Sequence, residues 1–166
     1  MRCDAKTMMA MLQPLSGPTF EPAFLAQMIH HHHSGIQMAE LATERGKSED
    51  LKALAAKMRG DHKQEADQMT NWLKQWHQTT PDSHPMPPAS QQMMETDMST
   101  LRNTQGAEFD QAFAELMARH HQSGIEMADL ATERATHPEV KQLAQKMSSA
   151  QAQEKAQLEK MHASRE

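Results

Sequence analysis

The chain has 166 residues, a length suited to one domain of ordinary size with a core of its own. Its formal charge of −5, with Lys and Arg dispersed among acids, argues against nucleic-acid binding, which needs a cationic face. One cysteine, Cys3, excludes an intramolecular disulfide and a cysteine-built zinc site. No apolar run approaches the roughly 18 residues of a membrane helix.

In chain order, apolar spacings of three and four predict a short helix over 5–13 and long helices over 20–46 and 49–77. A short piece follows over 91–103, then long helices over 107–136 and 138–163. Strand-like alternation is not evident. Gly17-Pro18 precedes the first long helix and Gly46 is placed to cap its end. Ser48 before Glu49-Asp50 reads as an N-cap, and Pro138 as a first-turn proline. The Pro-rich stretch 78–90 reads as an extended linker.

At an offset of 89, segment 28–45 matches 117–134 at 13 of 18 positions. The register continues through Phe20 and Phe109, Phe24 and Phe113, Leu54 and Leu143, Met58 and Met147, and Glu65 and Glu154. This is a duplicated helical hairpin, with repeats at 5–77 and 94–166. Two hairpins joined by a long crossover predict an all-α, ferritin-like four-helix bundle with short extra helices, one domain over 1–166.

The 16 Met and 11 His raise a metal question. At 100° per residue, His31 falls on the inward face with Phe24, Met28, Gly35 and Met38, and His32 lies on its flank. His30 and His33 point toward the polar half. In the second repeat the inward pair recurs as His120 and His121, whereas the outward positions become Arg119 and Gln122. Met28 and Met38 recur as Met117 and Met127. Thioether sulfur favours Cu(I) or Ag(I), and imidazole also accepts Cu(II) or Zn(II). Packing is the competing reading, since Met fills cores readily. Gly35 and Gly124, mid-helix, imply close approach of a neighbouring helix or room for a ligand.

The partner helix carries Leu51, Leu54, Met58, His62, Glu65, Met69, Trp72 and Trp76 on one stripe. Glu65 can accept an N–H from a histidine and so set its tautomer, with Glu154 doing so in the second half. His62 is matched only by Gln151, so the expected ligand set is unequal between halves. Met8, Met9 and Met11, and Met93, Met94 and Met98, form dense groups that read either as loose soft-metal ligands or as caps on the bundle ends.

The pattern Met, His-His, small residue, Ile and Met-Ala at residues 28–39 and again at 117–128 resembles domain-of-unknown-function family 305. So does the later set His62, Glu65, Met69, Trp72 and Leu73. That family includes CopM-like copper-binding proteins. The resemblance implies a ferritin-like bundle, usually exported, with copper binding in some members. Gly35 and Gly124 replace a commoner Ala, and His62 a frequent Gln.

The expected ligands are Met28, His31, His32, Met38, His62, Met117, His120, His121 and Met127, and the expected ion is copper, Cu(I) before Cu(II), Ag(I) or Zn(II). The expected role is soft-metal sequestration or resistance. The alternatives are a structural or interaction bundle without metal, and a ferritin-like redox protein. A di-iron site needs two inward Glu-x-x-His motifs, and the single such pair, Glu159 and His162, lies at the C-terminus, so no enzyme activity is expected. The 166 residues show no signal peptide, which formally allows a cytoplasmic reading. The Met-Arg-Cys start nevertheless fits a trimmed chain with Cys3 the lipidated cysteine of an exported precursor, in the periplasm or at the cell surface.

Overall fold

A computed structural model describes residues 3–163, and side chains from Thr7 onward. The expectation for the Cys3 side chain as a lipid attachment point and that for residues 164–166 of the second repeat lie outside what is described. Among the described residues six α-helices are formed: α1 (Cys3–Leu12), α2 (Phe20–Arg45), α3 (Glu49–His77), α4 (Pro88–Arg102), α5 (Gly106–Arg134) and α6 (Pro138–Ala163). No strand occurs among the described residues. The boundaries follow the local chemistry. Ser48 Oγ accepts the Leu51 N–H, and Pro138 opens α6. Gly46 does cap α2, in an extended conformation (φ −64°, ψ 146°) open to any residue, although a Cβ there would stand 2.6 Å from the Ala42 carbonyl oxygen. Ala135 ends α5 with nearly the same angles.

α2 with α3 and α5 with α6 form the two hairpins, and α2 packs against α5 between them. The α2–α5 pair is antiparallel. Glu21, at the start of α2, accepts the Thr136 and His137 N–H groups beyond the end of α5. Asp110, near the start of α5, accepts the Lys47 and Ser48 N–H groups beyond the end of α2. Each acid thus satisfies backbone donors in the other hairpin's turn, donors that helix ends otherwise leave open.

The crossover is tied down along its length. Residues 78–87 are not purely extended, because Pro81–Ser83 makes one 3-10 turn. Prolines offer carbonyls without N–H groups, and α2 supplies the donors. Gln27 Nε2 reaches the His84 and Pro85 carbonyls, and His30 Nε2 those of Pro81 and His84. His30 is therefore half-buried under the linker and not merely solvated, whereas His33 is exposed. Arg119, in the position matching His30, donates from Nη2 to both carboxylate oxygens of Asp97 of α4, at 2.7 and 2.9 Å.

Two apolar clusters fill the bundle. One gathers Met8, Leu12, Phe20, Phe24, Met28, Met69, Met127 and Met147. The other gathers Met38, Leu51, Met58, Leu101, Phe113, Met117 and Leu158. Of the two readings of the Met groups on the short helices, burial supports caps. Of Met8, Met9, Met11, Met93, Met94 and Met98, only Met11 is exposed, because α1 and α4 pack on each other and over the α2–α5 pair. They serve as caps.

Candidate metal centre

Between the two apolar clusters lies a layer of five buried imidazoles: His31 and His32 from α2, His62 from α3, His120 and His121 from α5. Because α2 and α5 cross antiparallel, His31 and His120 stack at 3.6 Å between ring centroids. The rings of His32 and His62 lie 4.6 Å apart, and those of His62 and His121 5.8 Å. The two mid-helix glycines make this possible. A Cβ on Gly35 would stand 3.1 Å from both His120 Cε1 and His62 Nδ1. One on Gly124 would stand 2.9 Å from His31 Cε1 and collide with Gln151 Oε1.

Hydrogen bonds fix the tautomers of three rings. His32 Nε2 donates to Glu65 Oε1 and His121 Nε2 to Glu154 Oε1, each at 2.8 Å. His31 Nε2 donates to the His120 carbonyl at 2.9 Å. Carboxylates and carbonyls only accept, so in the neutral ring the proton sits on Nε2 and Nδ1 carries a lone pair. The Nδ1 atoms of His31, His32 and His121 are buried with no protein donor in reach. So are Nδ1 of His62, both ring nitrogens of His120 and both amide atoms of Gln151. Buried polar groups are ordinarily satisfied, and so many on one level mark a place built to meet something else.

Three of the rings, His31, His62 and His120, are held toward the neutral form. Burial, reinforced by the His32 charge, lowers His31 to about 3 against the opposing bond to the His120 carbonyl. Burial likewise pushes His62 and His120 well below the usual imidazole value, with the neighbouring rings adding to it. A neutral imidazole is the form that binds a metal. The dry layer is bordered by the carboxylates of Glu65 and Glu154, which can offset cationic charge. The donor set therefore fits a borderline-to-soft ion.

The structure brings the five expected histidines together and sorts the four expected methionines to either side. Met28 and Met127 lie in one apolar cluster, Met38 and Met117 in the other. Met28 and Met117 precede His31 and His120 by one turn on the same helix face. Met38 and Met127 follow by two turns, a rise of about 10 Å. His62 departs from its expected place in the first half. Its ring nitrogen lies within 4.8 Å of ligand atoms of His32 and Glu65, and also of His121 and Glu154, so one side chain joins both halves. A further set, Glu21, His77 and His137, escaped the sequence reading. Its members share no local motif, and the one available signal was the acid repeated at 21 and 110.

The model of the family described as domain of unknown function (DUF305) matches residues 1–73 and 36–162. No curated protein matches the sequence. Among solved structures, CopM in its Cu(II)-bound form is 28% identical, with TM-score 0.77, over 87% of this chain and 96% of that one. CopM in its Cu(I)-bound form is 26% identical, with TM-score 0.75 and the same coverage. A DUF305 protein of Streptomyces coelicolor, described as secreted, shares the fold at 24% identity and TM-score 0.78, over 87% of this chain and 93% of that one.

Proposed function

The chain belongs to the DUF305 family, and on that premise we propose that it is a copper-binding protein whose ion lodges in the buried imidazole layer. The observation that carries this reading is the set of tautomer-fixed rings. His31, His32 and His121 each present an Nδ1 lone pair, in a dry interior, to no protein donor. Such lone pairs attract a cation. Similarity to CopM, solved with Cu(I), Cu(II) and silver, favours copper among the ions that imidazole accepts.

His31, His32, His62, His120 and His121 are the nitrogen ligands in this reading. Met28 and Met117, one turn away, are the thioethers nearest the layer along their helices, and Met38 and Met127 stand farther along the bundle. Soft sulfur beside neutral imidazole favours Cu(I) over harder ions. Sequestration outside the reducing cytosol suits this chemistry, and no catalytic role is assigned. Among the described residues no helix is long and apolar enough to cross a membrane.

Titration with Cu(I) against a chromophoric chelator tests the reading. Uptake is expected in the unmodified protein, lost on His31→Ala with His32→Ala and retained on His30→Ala with His33→Ala. No uptake, or equal loss in both double variants, overturns it.

A further inference from the structure

We propose a second, separate metal site at the N-terminal end of α2, built from Glu21, His77 and His137 and suited to a borderline divalent cation such as Cu(II) or Zn(II). One carboxylate oxygen, His77 Nε2 and His137 Nδ1 lie within 4.8 Å of one another. Two imidazoles and one carboxylate are a familiar set for such ions, and three protein ligands leave a position for water. No thioether is among the three, which separates the site from the Met-flanked layer in chemistry. Ten residues of α2, about 15 Å of helix, separate it in space.

The ligands are held in place. Glu21 is fully buried, and its Oε1 accepts the Thr136 and His137 N–H groups at 3.0 and 2.8 Å. Its Oε2 is left to face the rings, taking His77 Nε2 at 2.7 Å and His137 Nδ1 at 2.6 Å. Burial alone would raise the carboxyl, but bonds from the His137 amide and ring and from the His77 ring outweigh it and lower it. Trp76 stacks on the His137 ring at 3.7 Å and 4°, which sets its plane. The rings themselves are partly open, 16% exposed at His77 and 31% at His137, so an ion can enter from solvent. A metal takes the place of the protons shared between rings and carboxylate. Each coordinating nitrogen gives its proton to the ring's other nitrogen or to water, and the N–O separations widen toward the roughly 3.3 Å of ligands on one small ion.

Among the described residues the site occurs once. At the matching place in the other half, Asp110 accepts the Lys47 and Ser48 amides, and Ser48 stands where His137 does. The arrangement at Glu21 is thus more than a turn cap.

The chain's only two tryptophans, Trp72 and Trp76, stack on each other, and Trp76 stacks on His137 of this site, so their fluorescence reads it directly. Titration of the full chain with Cu(II) sulfate should quench that fluorescence. His77→Gln and His137→Gln should each move the midpoint at least tenfold higher, while His31→Ala with His32→Ala should leave it in place. As a measurement free of variants, crystals of the unmodified chain soaked in Zn(II) should give anomalous density bounded by Glu21, His77 and His137. Quenching that survives unchanged in both glutamine variants, or saturating Zn(II) with no density there, overturns the proposal. Neither result bears on Cu(I) uptake by the central layer.

Discussion

Replacing Gly35 by alanine separates helix propensity from the crowding of the imidazole layer, because Gly60 provides a control. Both glycines are helical, Gly35 in α2 and Gly60 in α3, and alanine gains about 1 kcal/mol over glycine in either helix. A Cβ at exposed Gly60 meets nothing within 4 Å, so Gly60→Ala should stabilise by about that amount. At Gly35 the same atom stands 3.1 Å from His120 and from His62, several tenths of an ångström inside ordinary contact. The rings must move within a packed layer, at an overpacking cost of about 1–3 kcal/mol. Net, Gly35→Ala should lie between about neutral and 2 kcal/mol destabilising, with a gap of about 1–3 kcal/mol from Gly60→Ala. At roughly 3 °C per kcal/mol for a chain of this size, that is a difference of about 3–9 °C in Tm. Denaturant and thermal unfolding of the metal-free variants measure it, and Cu(I) competition on the same samples should weaken for Gly35→Ala alone. If Gly35→Ala matches Gly60→Ala in both stability and copper uptake, the glycine is not there to admit the rings.

Acid should destabilise the metal-free protein well before its carboxylates titrate. His31, His62 and His120 have folded values below that of an unfolded histidine, so the unfolded chain binds more protons as pH falls through about 6.5. Stability is therefore full above that pH and declines below it by up to about 1.4 kcal/mol per unit for each group, for His31 down to about pH 3. Denaturant midpoints at pH 7.5 and 5 check the slope, and a flat profile contradicts the burial. Glu65→Gln and Glu154→Gln remove the charge that anchors the Nε2 protons of His32 and His121. Each should weaken Cu(I) binding by roughly tenfold to a hundredfold in chelator competition, with little change in helical circular dichroism.

Most of the architecture could be read from the chain because its determinants are local. Ser48, Pro138 and the Pro-rich segment act within a turn of themselves, and the helical period alone turns His31, His32, His120 and His121 inward. That Glu65 and Glu154 could each accept from a histidine was readable from stripes on adjacent helices of one hairpin, whereas the particular partners, His32 and His121, were not. What escaped depends on how one hairpin meets the other. The stacking of His31 on His120 and the sharing of His62 arise from the antiparallel crossing of α2 and α5, which no single helix encodes. His30 looked solvated because its covering linker is remote in sequence. The trio of Glu21, His77 and His137 draws on three helix ends and leaves no spacing to notice.

The reciprocal capping by Glu21 and Asp110 has a consequence for how copies of this chain can combine. Each acid satisfies the turn of the opposite hairpin, and nothing in those bonds requires both hairpins to belong to one polypeptide. The segment between α3 and α5 alone determines that they do, by being long enough to fold back and by being held there through Gln27, His30 and Arg119. Shortened until it cannot return, the same sequence retains every complementary surface, now available only on a second molecule. Exchange of hairpins between two chains would then rebuild the bundle twice over, each copy with its turns capped and its imidazole layer assembled from two polypeptides.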